Sequence, residues 1–231
     1  MSTINITIEG GTSKRLPTAG KYCEKDIIIT TQGGVGGESE NLLDKYLSGE
    51  LTSINSDITS LVASACYGAS FLVSANFPEV TKIGGSCFRG CSNLASFNAP
   101  KVTSLGTYVF YGCSKLTEVN FQYIPQAPST CFYQCTALTR ADFGVNCKTL
   151  SGSSLAYCSK LTTLILRYTA GVVSIATNTF SGFTFKGYVY VPKTLDDGSD
   201  GIEAYKAYTN WSSLSSVTFR AIEDYPEITG G

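Results

Sequence analysis

Apolar and polar positions along the chain recur every 22 residues. Three stretches align without gaps: Cys87-Phe-Arg-Gly-Cys-Ser-Asn-Leu94, Val109-Phe-Tyr-Gly-Cys-Ser-Lys-Leu116 and Cys131-Phe-Tyr-Gln-Cys-Thr-Ala-Leu138. A fourth copy, Leu155-Ala-Tyr-Cys-Ser-Lys-Leu161, follows after 23 residues. Cys66–Leu72 is a degenerate earlier copy, and Thr179-Phe-Ser-Gly182 is a last trace. Leu72, Leu94, Leu116, Leu138 and Leu161 form one apolar column. Ala75, Phe97, Val119, Ala141 and Leu164 form a second, and Phe77, Ala99, Phe121, Phe143 and Leu166 a third. The last two columns stand two positions apart, so they share one face of a short strand. Val80, Val102 and Ile124, then Ile83 and Leu105, give each unit a second apolar edge. One such coil cannot bury these side chains alone, but a stack of coils makes a continuous core. The pattern predicts a solenoid with a strand in every turn.

Residues between the buried strand positions must point outward. One outward column reads Ser74, Ser96, Glu118, Arg140, Thr163, and the next reads Asn76, Asn98, Asn120, Asp142, Ile165. At the inter-strand spacing of about 4.8 Å the asparagines can form an amide ladder. Such a strip serves either as a recognition surface or as a solvated face that reinforces the stack. Glu118 and Arg140, on adjacent rungs, are expected to pair. A further exposed set, Tyr67, Arg89, Tyr111 and Tyr133, falls once per coil at the turn, and Tyr and Arg are favoured at binding hot spots. The candidate binding surface is therefore Ser96, Asn98, Glu118, Asn120, Arg140 and Asp142, with Tyr111 and Tyr133.

Composition narrows the chemistry. The chain has 231 residues, a formal net charge of −1 and no histidine. That removes the commonest general base and metal ligand. Without a basic stripe, binding to nucleic acid has no electrostatic source. The N-terminus lacks a secretory pattern and no apolar run is long enough to span a bilayer. The expectation is a chain made in the bacterial cytoplasm, not inserted in a membrane and not exported by the standard route. The Cys91, Cys113, Cys135 and Cys158 column reads as a ladder of small buried thiols, in preference to metal sites or disulfides. Gly33–Gly37 is followed by Glu38-Ser-Glu, so it reads as a linker and not a phosphate loop. Asp196–Gly201 is too short for an EF-hand series, and reads as a polar turn with Ser199 or Asp200 capping a helix over 202–208. Glu118 and Asp142 lie near each other in register, but a flat sheet face offers no pocket for glycoside hydrolysis. No cofactor and no catalytic residue is expected.

The pattern Phe-x-Gly-Cys-x-x-Leu, then a strand, Pro78 or Pro100, and Val-Thr-x-Ile/Leu, resembles the BspA-like class of leucine-rich repeats. The resemblance runs from about Leu51 to Tyr225 and includes Gly187–Pro192, Ile202–Tyr208 and Asn210-Trp211, which look like the closing segment of that family. It implies a leucine-rich-repeat solenoid of the α/β repeat class, β-dominated, with a period of 22–23, and it implies surface adhesion or protein binding. Gln126–Ser129 and Thr169–Thr177 depart from the pattern and are expected to be irregular coils. The expected organisation is an attachment segment (1–32), a linker (33–40), a helical N-terminal cap (41–50), the solenoid (51–185), a C-terminal cap (186–225) and a tail (226–231). In the first segment, residues 3–9 and 26–31 read as strands. The block Leu16-Pro-Thr-Ala-Gly-Lys-Tyr-Cys-Glu-Lys-Asp26 between them is similar to N-terminal segments of phage and prophage structural proteins. That similarity implies a virion component displaying the solenoid for host attachment, through a host-surface protein or a glycan. Ile4, Ile6, Ile8, Tyr22, Ile27 and Ile29 would dock it on an assembly or on another copy of itself. Without it, a bacterial cell-surface adhesion module is the reading.

Overall fold

The computed structural model describes residues 53–55 and 59–229. The expected N-terminal strands with Ile4, Ile6, Ile8, Tyr22, Ile27 and Ile29, the glycine linker and the 41–50 helix lie outside the described residues.

Each coil carries two short parallel strands. The first strands are β1 (Ser53–Asn55), β3 (Ser74–Asn76), β5 (Ser96–Asn98), β7 (Glu118–Phe121), β9 (Arg140–Phe143) and β11 (Thr163–Leu166). The second strands are β2 (Ser60–Leu61), β4 (Lys82–Ile83), β6 (Ser104–Leu105), β8 (Gln126–Ala127), β10 (Thr149–Leu150) and β12 (Ser174–Ile175). Pairing is parallel and follows the sequence columns: Ala75 faces Phe97, Val119 faces Ala141, and Ala141 faces Leu164. The chain is thus a leucine-rich-repeat solenoid dominated by β structure. The core is a set of ladders along its axis. Phe88, Phe110 and Phe132 are fully buried and stack with centroids 5.6 and 5.5 Å apart, nearly parallel. Leu72, Leu94, Leu116 and Leu138 are equally buried.

The two departures from the pattern have different outcomes. At 126–129 the apolar column is kept, because Ala127 fills it and pairs with Leu150. The second-strand ladder nevertheless divides there, into β2–β4–β6 and β8–β10–β12. Thr81 and Thr103 each donate a backbone N–H to the threonine carbonyl one coil back, and Pro125 occupies the next rung without an N–H to give. At 169–177 the coil is longer, pairing Leu150 with Ile175 after 25 residues.

Every coil also turns through left-handed backbone. One such column is Gly68, Gly90, Gly112, Gln134, Tyr157 and Gly182. Gln134 sits at φ 60°, where a side chain costs about 1 kcal/mol or more relative to glycine. Gln134→Gly is expected to stabilise the chain by about 1 kcal/mol. A denaturant midpoint that falls instead would show that the glutamine side chain has a compensating role.

The C-terminal segment closes the stack. β13 (Gly187–Val191) and β14 (Val217–Ala221) extend the first-strand sheet into the order β14–β13–β11–β9–β7. Between them runs α1 (Gly201–Ala207), whose N-cap Asp200 accepts from the Glu203 N–H at 2.9 Å. Its expected apolar edge is realised in part. Tyr205 is fully buried and Ile202 half-buried, but Tyr208 forms the C-cap and is exposed. The aromatic buried beside Tyr205 is instead Trp211, with ring centroids 5.7 Å apart. Among the described residues no further second strand follows β12, and side chains satisfy the backbone in and beside it. Val173 donates its N–H to the Tyr205 hydroxyl (3.0 Å), and its carbonyl accepts from Trp211 Nε1 (2.6 Å). Asn210 Nδ2 donates to the Ile175 carbonyl at 2.7 Å. This answers the problem of an open solenoid edge, where unpaired backbone groups would otherwise invite another strand.

Candidate functional site

The outward columns of the first-strand sheet have the register read from the sequence, but they divide into two regions. In the N-terminal region Ser96 and Asn98 are exposed, and Asn98 Nδ2 donates to Asn76 Oδ1 at 2.6 Å, one rung of the amide ladder. Glu118 and Asn120 are exposed too, though Asn120 accepts from Gln122 within its own coil.

The C-terminal region is covered. Asp142, expected on the surface, is fully buried. Arg167 grips it with two bonds, Nε to Oδ1 and Nη2 to Oδ2, both 2.9 Å, and Arg140 Nη2 reaches Oδ2 at 3.2 Å. Arg140 therefore turns to Asp142 in its own strand, and the expected pairing with Glu118 is corrected. Ile165, also expected outward, is buried with Tyr190, Ile222 and Ile228. The cover is the single 3-10 turn Ile222–Asp224 followed by α2 (Pro226–Thr229), a stretch whose last residues were read as tail. Arg167 Nη2 also donates to the Ile228 carbonyl at 2.6 Å, tying this cover to the carboxylate beneath it. The sequence signal was the apolar spacing of Ile222, Tyr225 and Ile228. Fully buried and with both oxygens bound to guanidinium groups, the Asp142 carboxylate is not exposed to a substrate.

The turn edge is the second candidate surface, and the Tyr67, Arg89, Tyr111, Tyr133 column does run along it. The Arg89 guanidinium lies 4.7 Å from the Tyr111 ring centroid, 5.4 Å from Tyr108 and 5.8 Å from Tyr67. Tyr111 and Tyr133 stack at 4.8 Å with planes 9° apart, and Tyr157 continues the row 5.0 Å beyond Tyr133. Desolvation and the neighbouring Tyr157 push the Tyr133 phenol up. Sequence reasoning missed Tyr108 and Tyr157, because both stand in left-handed columns otherwise held by Ser, Thr, Gly or Gln. Tyr157 lies over Gly182, where a Cβ would come within 2.4 Å of its ring.

The cysteine column is structural. Cys91, Cys113, Cys135 and Cys158 each donate a thiol hydrogen to a carbonyl of the preceding coil, those of Cys66, Phe88, Phe110 and Phe132, at 3.0–3.2 Å. Burial pushes the Cys113 and Cys158 thiols up to about 12 and Cys147 to about 11. In the acidic turn, Asp197 Oδ1 accepts from the Ser199 backbone N–H and hydroxyl, which hold its carboxyl below the usual range. A partly open pocket of about 280 Å3 lies where the cap meets the last coil, lined by Phe180, Phe183, Phe185, Asn210 and Leu214 among others.

Stacked parallel coils, each with a leucine ladder and a thiol ladder, define a leucine-rich-repeat protein. The BspA type leucine rich repeat region matches in six copies over residues 59–186, and the chain belongs to that family. Among solved structures it is similar to a leucine rich repeat protein of T. pallidum, with 20% identity over 50% of this chain and 58% of that one, at a TM-score of 0.46. A leucine rich cell surface protein from Faecalibacterium prausnitzii A2-165 shares 21% identity, covering 58% of this chain and 38% of that one, at a TM-score of 0.44. A leucine-rich repeat protein from Bacteroides ovatus ATCC 8483 shares 19% identity, covering 75% and 55%, also at 0.44. The chain thus spans less than two thirds of each of these proteins. No curated protein matches it.

Proposed function

We propose that this chain is a non-enzymatic binding module that engages a macromolecule, a protein or a glycan, through its repeat surface. The observation that carries this reading is the turn edge. Tyrosines and one arginine stand exposed or half-exposed on successive coils, held in fixed register by the stack beneath. Rigid aromatic side chains lose little entropy on binding, and repeated positions on a solenoid present them as one continuous surface. Membership of the BspA type family agrees with this reading. So does the state of Asp142, whose carboxylate is committed to Arg167 and Arg140.

The test compares attachment of beads coated with the chain to bacterial and epithelial cell surfaces and to immobilised host matrix proteins. Tyr111→Ser with Tyr133→Ser is expected to reduce attachment about tenfold, and Ser96→Ala with Asn98→Ala to leave it unchanged. The opposite result would move the site to the strand face. Attachment in none of these formats would overturn the reading.

A finer reading places the chain on a phage particle, with residues 1–32 as the attachment segment and the solenoid displayed toward the host. It rests on the similarity of Leu16–Asp26 to phage structural proteins, and the alternative location is the bacterial cell surface. A chain lacking residues 1–32 would fail to join the particle. If it still joins, this finer reading falls and the binding module remains.

A further inference from the structure

We infer that the turn edge takes an acidic protein surface, an inference that rests on the binding-module reading and names the partner chemistry for it. The first ground is charge segregation. The connecting segments on this side of the coils are residues 62–73, 84–95, 106–117, 128–139, 151–162 and 176–186, and none contains Asp or Glu. They do contain Arg89, Lys115, Lys160 and Lys186. The chain as a whole carries a net charge of −1, so this edge is positive against a slightly negative molecule. The carboxylates of the repeat lie elsewhere, with Glu79 bound to Lys101 at the proline corner and Glu118 and Asp142 on the strand face.

The second ground is composition. Tyr, Ser and Gly recur through these segments with a single Arg, residue types that antibody paratopes favour against protein surfaces. Val62, Tyr67, Val73, Tyr108 and Tyr157, all among the exposed large apolar side chains, lie on this edge. The third ground is ring geometry, which separates a protein from a sugar. A saccharide stacks on an open ring face. Here Tyr111 is stacked on Tyr133, Arg89 lies over Tyr111, and Tyr157 packs beside Tyr133, so the rings at the centre of the row are engaged with one another and not open for a sugar to stack on. Arg89 is held by three rings, so its planar fork is pre-positioned for a carboxylate.

The probe is fluorescently labelled poly-L-glutamate, followed by anisotropy with the full chain at low ionic strength. Binding is expected, weakening as salt screens it, with none for labelled poly-L-lysine. Arg89→Glu is expected to weaken binding about tenfold or more. Lys82→Glu changes net charge by the same amount on another face, and is expected to change binding less than about twofold. Equal effects of the two variants would mean that net charge alone acts, and would overturn the inference. Displacement by polygalacturonate at lower concentration than by unlabelled polyglutamate would overturn it in favour of an acidic glycan. If polyglutamate does not bind while Tyr111→Ser with Tyr133→Ser still abolishes bead attachment, the acidic-partner inference fails and the binding-module reading stands.

Discussion

The chain is expected to lose its fold steeply between about pH 9 and 11. An unfolded thiol ionises at about 8.5. In the native stack burial pushes Cys147 up to about 11 and Cys113 and Cys158 up to about 12, and Cys87, Cys91, Cys131 and Cys135 shift in the same direction for the same reason. Below the unfolded value both states hold the proton and the full stability is present. Above it the unfolded chain releases protons that the native chain retains, so stability falls until the pH passes the native values. Each thiol removes about 1.4 kcal/mol per pH unit in that window, and Cys113, Cys147 and Cys158 together remove about 4. Two such units remove about 8 kcal/mol, within the range of about 5–15 kcal/mol that holds an ordinary domain together, and the four further raised thiols add to the loss. Denaturant midpoints at pH 8, 9 and 10 measure the slope. Thiolate absorbance is expected to appear together with loss of the β-sheet circular dichroism signal. Thiolates titrating near 9 in a chain that keeps its fold would contradict the buried ladder.

Arg167→Ala is expected to destabilise the chain by about 3 kcal/mol or more and to release the C-terminal cover. The substitution strips two charge-assisted bonds from a fully buried carboxylate, and leaving such a charge uncompensated costs about 3–5 kcal/mol. Arg140 keeps one bond to Asp142, which places the effect at the lower end. The Ile228 carbonyl loses its partner as well, so α2 should detach and expose Ile165 and Tyr190. Urea midpoints measure the first effect, and accelerated proteolysis within 222–229 the second. Replacing both partners, Asp142→Leu with Arg167→Leu, is expected to cost less than Arg167→Ala alone, because no orphaned charge remains. A loss under about 1 kcal/mol for Arg167→Ala would show that water reaches the carboxylate.

The repeat was legible because its determinants are local and periodic. A column of Leu or Cys every 22 residues needs no knowledge of distant contacts, and strand residues two apart must share a face. That reasoning gave the strands, the columns that face one another, the thiol ladder and a helix cap at Ser199 or Asp200, of which the structure uses Asp200. It also located the turn-edge tyrosines at Tyr111 and Tyr133. It could not say what lies above the outer face. Asp142 and Ile165 have the same place in the repeat as Asn98 and Asn120, and from the sequence all four point to water.

The sequence by itself thus determined a stack of β coils, the side chains that fill it, and a surface poor in charge. Tertiary structure decided which part of that surface is free. The C-terminal segment returns over β9, β11 and β13, turns Asp142 from a surface carboxylate into a buried anchor, and leaves the turn edge open. The physical reason is that burial of an outward column depends on a segment some 60 residues away in the chain, and a repeat carries no information about what is not repeated.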